Sequence, residues 1–261
     1  MTIVDACLRD GRGGSPTVVL AETGLSDEER RALPVHSGTS HAVFVDVGET
    51  EVSLRFFTST GELPSCGHGT VAAMAYLADR FGRRDFRLRT RERAFTGYAT
   101  DDAYWFEAGP VEVREPASGE CDGVLEALGA APMAGLCVAS VGRARLLVPV
   151  ADPATLAGLT PDLDRLRTEC DHLGLLGCYA YSVPAGGRAA ARMFAPSIGV
   201  PEDIANANST SCLAAYLAQD GDVSLTVDMG DALGVPAAVK AVAQRTETGP
   251  RVRVGGAAAV R

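Results

Sequence analysis

The 261-residue sequence has no apolar run that approaches the roughly 18 residues of a membrane-spanning helix. Its beginning lacks the basic stretch and the long apolar core of a secretion signal. Positive charge is also scarce, since the formal net charge is -9 at pH 7, and such a chain is a poor ligand for nucleic acid or an anionic membrane. We therefore expect a cytoplasmic protein with no nucleic-acid or membrane partner.

The sequence also lacks the patterns that usually hold metals, disulfides or nucleotides. Its seven cysteines form no Cys-x-x-Cys pair, and an odd number without that spacing favours reduced thiols over a disulfide framework or a zinc site. The glycine-rich stretch 9–16 has neither the G-x-G-x-x-G spacing nor the lysine of a phosphate-binding loop. We expect no bound metal and no cofactor.

What the sequence does contain is a strand-like run over 51–57, a polar loop, and an apolar helical pattern over 71–78. The residues predicted to stand at the start of this helix are Cys66, Gly67, His68, Gly69 and Thr70. A helix N-terminus offers unpaired backbone N–H groups and the positive end of a dipole. Glycines let a bound molecule approach the backbone, and a histidine there can transfer protons near neutral pH.

The same unit occurs a second time. Residues 210–218 repeat the pattern of residues 70–78, with the threonine, the tyrosine and the following Leu-Ala at the same spacing. In this register His68 corresponds to Asn208, and Gly69 corresponds to Ser209. Copies this far apart do not form a solenoid, so the repeat predicts two pseudo-equivalent halves, each with polar residues at a helix N-terminus.

Two further elements before this unit are readable from the sequence. The run 26–33 is predicted to be a short helix with a serine cap that ends near Pro34. The run 39–47 is predicted to be a strand with His41 at the start of an apolar stripe. A single histidine in such a place is more often a core or edge residue than a catalytic one, so the strand alone does not assign it a role.

Taken together, several motifs resemble the PhzF-like family of phenazine-biosynthesis-type isomerases, which share the diaminopimelate epimerase fold. In chain order the motifs are Val4-Asp5-Ala6, Gly14-Ser15-Pro16-Thr17-Val18-Val19, Thr39-Ser40-His41-Ala42-Val43-Phe44-Val45, the stretch from Arg55-Phe56-Phe57-Thr58 through Glu62-Leu63-Pro64-Ser65-Cys66-Gly67-His68, and the stretch from Arg192-Met193-Phe194-Ala195-Pro196 to Gly199-Val200-Pro201-Glu202-Asp203. The resemblance covers nearly the whole chain, and the order of the motifs makes it a strong indication of fold.

This resemblance implies an α+β architecture with two pseudo-symmetric halves, each a barrel-like mixed sheet around a central helix. The N-terminal half is expected over residues 1–115 and the C-terminal half over 116–249, and residues 250–261 are assigned as a last strand that can return to the first half. The active site is expected in the cleft between the halves. Family analogy also implies a homodimer.

In the family a glutamate shuttles a proton between two carbons, assisted by an aspartate, a histidine and a serine. The matching positions here are His41, Asp203, His68 and Asn208, with His41 in place of the glutamate and Asn208 in place of the serine. Imidazole has an unperturbed pKa of roughly 6.5, closer to neutrality than the roughly 4.3 of glutamate. We predict that His41 is the principal base and that Asp203 or His68 orients it or returns the proton. The residues predicted to bind the substrate carboxylate or a developing enolate-like oxygen are Cys66, Gly67, Gly69, Thr70, Asn208, Ser209 and Thr210.

The activity implied is that of a cofactor-independent isomerase that moves a proton and a double bond within a small unsaturated or cyclic amino acid or carboxylate, in specialised-metabolite (antibiotic-type) biosynthesis. One alternative is an amino-acid epimerase or racemase of the same fold, which would pair Cys66 with a second cysteine. Asn206 faces Cys66 in the repeat register, so that partner is missing. The alternative of another class is a catalytically silent binding or scaffold protein that has lost the glutamate.

Overall fold

The computed structural model describes residues 1–131 and 133–261, and strands dominate the described chain. The strands are β1 (Thr2–Leu8), β2 (Ser15–Ala21), β3 (His41–Val47), β4 (Val52–Phe57), β5 (Glu62–Leu63), β6 (Asp85–Arg89), β7 (Ala94–Ala99), β8 (Tyr104–Glu107), β9 (Glu112–Arg114), β10 (Cys137–Ser140), β11 (Ala144–Val150), β12 (Cys178–Ser182), β13 (Arg188–Ala195), β14 (Val200–Asp203), β15 (Val223–Met229), β16 (Ala237–Gln244) and β17 (Arg251–Val260). The helices are α1 (Asp27–Ser37), α2 (Gly67–Phe81), α3 (Asp122–Leu128), α4 (Pro153–Ala157), α5 (Leu163–His172) and α6 (Ala207–Leu217). No helix among the described residues has the length and apolarity needed to cross a membrane.

Strands of the first half close into a ring around α2. β1 pairs with β2, β2 runs parallel to β3, and β3 pairs with β4. The ring continues from β4 through β6, β7 and β8 to β17, which pairs with both β8 and β1. Helix α2 is buried over residues 67–77 without interruption. A helix that is apolar on all sides belongs inside a core, which is why the segment after the polar loop shows no polar face.

A second row of strands wraps around α6. It runs from β9 through β10, β11, β12, β13, β15 and β16 to β17. The inner face packs on α6, which is buried along most of its length. On the outer face of β11 and β12, a separate apolar cluster holds α3, α4 and α5. Strand β17 therefore pairs with strands on both sides, and its residues 251–255 contact β16 while residues 257–260 contact β1.

The first helix differs from its predicted end. A capping box joins Ser26 and Glu29 at its start, but the helix continues through Pro34 to Ser37. It ends at Gly38, whose left-handed backbone lets its N–H reach the carbonyls of Pro34 and Val35. The prediction that Pro34 ends the helix is wrong, because a glycine C-cap four residues later supplies a better stop.

The N-termini of α2 and α6 touch each other. Cys66 is the N-cap of α2 and Asn206 is the N-cap of α6, so the two repeat-related positions have equivalent roles. A β-carbon added to Gly67 would lie 2.6 Å from the β-carbon of Ala207 and 3.1 Å from the Asn208 nitrogen. Only glycine allows this approach, and it places the positive ends of two helix dipoles on one cleft.

Candidate active site

His41 is the first residue of β3 and faces the cleft between the helix N-termini. Its side chain is 2% exposed. The ring nitrogen Nδ1 lies 2.8 Å from the Ser40 hydroxyl. This contact leaves Nε2 as the nitrogen available to exchange protons with a bound molecule.

His68, the second residue of α2, lies directly behind His41. The two imidazole rings meet edge to face, with 4.4 Å between centroids and an angle of 84° between their planes. The Nδ1 atom of His68 is 2.8 Å from the carbonyl oxygen of Ala205, and a carbonyl can only accept, so Nδ1 carries a hydrogen. The same atom is 3.9 Å from Asp203 Oδ2, and Nε2 is 3.6 Å from the Cys66 sulfur.

Asp203 ends β14 and faces the cleft from the second half. Its Oδ2 accepts a 2.9 Å hydrogen bond from the side-chain amide of Asn206. Its Oδ1 is buried and has no hydrogen-bond partner among the described residues. A buried carboxylate oxygen without a donor is costly, so this atom is poised to meet a donor that a bound molecule brings.

The two buried imidazoles are driven to opposite protonation states. Burial, and then the neighbouring His68, lower the pKa of His41 well below its usual value of 6.5. Burial alone would also lower the pKa of His68, but the electrostatic effects of the neighbouring Cys66 and Asp203 outweigh it and raise that pKa to about 9. Burial raises the pKa of Asp203, against the opposing effects of His68 and Asn206. At neutral pH, His41 is therefore a neutral imidazole and His68 is an imidazolium.

The cleft itself is narrow, with a volume of about 40 Å³. Its lining consists of His41, Leu63, Pro64, Ser65, Cys66, Gly67, Arg143, Arg145, Leu176, Ala195, Ile198, Val200, Asp203, Asn206 and Asn208. This volume holds about three water molecules. A bound amino acid or ring carboxylate therefore requires the lining to move apart.

Three of the residues predicted to bind substrate line this cleft: Cys66, Gly67 and Asn208. The Asn208 amide donates a 3.2 Å hydrogen bond to the Ser65 hydroxyl across the two halves. The Cys66 sulfur is buried and contacts His68. Both wall residues therefore have partners already, and Gly67 offers backbone alone.

The other four predicted residues lie behind the wall. Gly69 is packed against Phe56 and the Cys66 sulfur. The Thr70 hydroxyl donates to the Cys66 carbonyl at 2.8 Å, and the Thr210 hydroxyl donates to the Asn206 carbonyl at 3.0 Å. The threonine shared by the two repeats thus has the same structural partner, the carbonyl of the helix N-cap residue.

Ser209 binds Arg145, a residue that the sequence does not predict as part of the site. Its hydroxyl accepts a hydrogen bond from Arg145 at 3.3 Å, and it is fully buried. Arg145 lies on β11 among apolar residues, lines the cleft, and is 1% exposed. A lone arginine within an otherwise apolar strand is the sequence signal that could have found it. The sequence predicts Asn206 only as the counterpart of Cys66, and the structure adds its hydrogen bond to Asp203.

One set of side chains could hold a metal ion. Among the described residues, one ligating atom from each of His41, Cys66 and His68 lies within 4.8 Å of the others. Two imidazoles and a thiolate suit a soft cation such as Zn²⁺. The long gap in sequence between His41 and Cys66 hides this convergence from any spacing rule.

The comparisons with known proteins agree with this architecture. The family model described as "Phenazine biosynthesis-like protein" matches residues 9–261. This chain belongs to that family. An uncharacterized isomerase from Deinococcus radiodurans is 31% identical, over 96% of this chain and 88% of that protein. The trans-2,3-dihydro-3-hydroxyanthranilate isomerase of Pseudomonas chlororaphis is 26% identical, over 97% of this chain and 94% of that protein. A solved structure described as a predicted epimerase from Pseudomonas aeruginosa matches with a TM-score of 0.82 at 23% identity, covering 100% of this chain and 96% of that one.

The phenazine biosynthesis-like family and its isomerase relatives identify the chain as an isomerase. The structural match, at an identity under 25%, speaks to the fold alone. Together with the strands around α2 and α6, it confirms the predicted α+β fold of the diaminopimelate epimerase type. The family resemblance predicted from the sequence is likewise confirmed.

Proposed function

We propose that this isomerase moves a proton between two carbons of a small unsaturated or cyclic amino acid or carboxylate, by acid–base catalysis at His41 and without a cofactor. The observation that carries the proposal is the edge-to-face contact between the two buried imidazoles of His41 and His68, with centroids 4.4 Å apart, beside the cleft; the pKa of His41 is lowered and that of His68 is raised. General acid–base catalysis requires a group that can accept a proton at the working pH, and proton transfer from carbon also requires stabilisation of the negative charge that remains.

His41 supplies the base in this proposal. Its Nε2 removes a proton from one carbon of the substrate, and the electron pair of that C–H bond enters the conjugated system that ends in the carboxyl group. The same nitrogen then returns the proton to a second carbon, which shifts the double bond and restores the neutral imidazole. No electron, oxidant or second substrate is consumed, so the reaction needs only an imidazole that accepts a proton and returns it.

His68 stabilises the intermediate anion from behind His41. It does not line the cleft, so we assign it a positioning and electrostatic role. Asp203 and Cys66 keep it protonated, and its charge adds to the positive ends of α2 and α6. A bound substrate would displace the few water molecules that the cleft can hold, which would strengthen these charge interactions.

The first substrates to test are dihydroanthranilate-like acids, because a relative of 26% identity carries the name trans-2,3-dihydro-3-hydroxyanthranilate isomerase. Pyrroline and dehydroproline carboxylates form the second group. We extend the proposal to specialised-metabolite biosynthesis, which the family description supports, and to a cytoplasmic location, which the seven free, buried cysteines support. By family analogy we also propose a homodimer.

Turnover in D₂O tests the proposal. The product should have a shifted double bond, with deuterium at the carbon that receives the proton wherever His41 exchanges with solvent before return. His41→Ala should lose activity by at least about 100-fold, the low end of what a general base contributes. His41→Glu should restore part of it, because a carboxylate can do the same shuttle. Unchanged turnover in His41→Ala would contradict the proposal that His41 is the base.

The epimerase alternative is favoured by one observation, the position of Cys66 at the N-cap of α2 beside the cleft. A two-thiol mechanism would need a cysteine at the equivalent N-cap of α6, where Asn206 stands, and Cys212 is buried inside that helix. Deuterium at the alpha carbon with an unmoved double bond would favour the epimerase. A silent binder would give neither change.

A further inference from the structure

Arg145 is the most deeply buried arginine of the described chain, and it lacks the carboxylate partner that Arg30 and Arg192 have. The side chain of Arg30 is 5% exposed and pairs with Glu22, and that of Arg192 is 12% exposed and pairs with Glu202. Arg145 is 1% exposed. Its hydrogen-bond partners in the described residues are the Ser209 hydroxyl and the carbonyl oxygen of Arg143.

The guanidinium is also incompletely satisfied. Its Nε is buried and has no hydrogen-bond partner in the described part of the chain. Removing a positive charge from water without a counter-charge is expensive, and an unmade hydrogen bond adds to that cost. A fold that keeps such a group at the wall of a cleft holds a ready site for an anion.

The surroundings of Arg145 favour an anion of small size. It reaches Ser209 at the N-terminus of α6, so the guanidinium and the helix dipole act on the same region. Arg143 also lines the cleft but is exposed, which places a second positive charge at its mouth. A small anion needs the least movement of the lining of this narrow cleft, and a planar carboxylate matches the fork of an arginine.

We propose that Arg145 binds the carboxylate of the substrate and so restricts the enzyme to anionic acids. The inference rests on the proposed function in that it places the carboxylate on the α6 side of the cleft, across from His41. It also assigns the charge recognition to a guanidinium, where the sequence alone pointed to backbone N–H groups.

The test is binding of benzoate and of benzamide, its neutral analogue, to the full-length protein by calorimetry at constant ionic strength. The wild-type protein should bind benzoate at least tenfold more tightly than benzamide. Arg145→Met should lose at least tenfold in benzoate affinity and leave benzamide affinity unchanged. Arg145→Gln, which can still donate hydrogen bonds, should show the same loss, and it decides the matter if the methionine variant does not fold.

Arg30→Met is the matched control, because Arg30 is a buried arginine that has its own carboxylate and lies outside the cleft lining. This variant should unfold at a lower temperature than the wild type and keep the preference for benzoate. Arg145→Met should be at least as stable as the wild type without ligand, since it loses an unpaired buried charge. A purely structural role for Arg145 predicts the reverse, lower stability with an unchanged preference for benzoate.

The outcomes separate this inference from the proposed reaction. If benzoate binding depends on Arg145 but no acid is isomerised, the carboxylate site is supported and the proposed reaction is contradicted. If isomerisation occurs and Arg145→Met keeps the wild-type affinity for benzoate, the assignment of Arg145 is overturned and the reaction stands. Failure of the wild type to prefer benzoate over benzamide also overturns the assignment.

Discussion

Replacing Asp203 with asparagine tests the electrostatic interaction between Asp203 and His68 in the candidate active site. Asparagine keeps the size of the side chain and removes the charge that lies 3.9 Å from His68 Nδ1. Since His68 owes its pKa of about 9 partly to that charge, Asp203→Asn should lower the pKa of His68. The pKa of His41 should change much less in the same variant, because burial is the first cause of its lowered value.

The size of the shift follows from the distance. Two unit charges about 4 Å apart interact by about 4 kcal/mol at an effective dielectric constant of about 20. This is an upper bound, because the Asn206 amide already shares the charge of Asp203. Opposite charges at such distances typically move a pKa by about 1 to 3 units. We therefore expect His68 in Asp203→Asn to titrate at least about one unit below its wild-type value.

The measurement does not require the substrate. The chain has four histidines, so the imidazole signals in a nitrogen-detected NMR titration can be assigned by single substitutions. His36 and His172 are exposed, whereas His41 and His68 are buried. Cys66→Ser replaces the other side chain that raises the pKa of His68. In the double variant with Asp203→Asn, burial acts almost alone and the pKa of His68 should fall below 6.5.

Two results would refute this reasoning. One is a wild-type His68 that titrates near 6.5, which would mean that burial already cancels both partners. The other is an Asp203→Asn variant whose His68 signal titrates as in the wild type. Once a substrate is known, the alkaline limb of kcat/KM should move to lower pH in Asp203→Asn by the same amount as the NMR signal.

Further predictions concern packing and stability. Gly67→Ala should cost about 1–3 kcal/mol of unfolding free energy and reduce kcat/KM, since its β-carbon would lie 2.6 Å from that of Ala207; Gly61→Ala, with no atom within 4 Å of its new β-carbon, should match the wild type in both measurements. The raised pKa of His68 stabilises the fold below about pH 6.5, and this contribution is lost as the pH rises through about 9. In urea titrations the wild type should therefore lose about 3 kcal/mol more than His68→Asn between these two pH values, and equal losses would contradict the assignment.

The sequence predicts the fold well because the two central helices carry an internal repeat. The repeat placed Thr70 and Thr210 in register, and both hydroxyls bind the carbonyl of the helix N-cap residue. The same reading expected these threonines to bind substrate. A hydroxyl at this position is one helical turn from the N-cap carbonyl, so it forms that local bond and turns away from the cleft.

The contents of the site were harder to predict from sequence. Family resemblance, and no spacing rule, brought His41 together with His68 and Asp203. The position of Arg145 at the cleft could not be predicted, because period-two alternation shows which residues share a face of β11 but not which face meets the cleft. Its partner Ser209 follows the polar helix start, and only the fold shows that it points to Arg145 and not to a ligand.

The family resemblance predicts a glutamate at the position of His41, and the two side chains differ in charge as well as in basicity. A neutral imidazole at position 41 adds no charge to the cleft, whereas a glutamate would add a negative charge beside the place where an anionic substrate is proposed to bind. His41→Glu should therefore retain proton transfer, with a kcat reduced less than in His41→Ala. It should bind carboxylates less tightly, because the new negative charge repels them. About 1.4 kcal/mol of repulsion would raise KM about tenfold. Benzoate affinity in His41→Glu provides the same comparison without a substrate. If His41→Glu binds benzoate as tightly as the wild type, charge at this position does not control substrate binding, and histidine is there for its proton affinity alone.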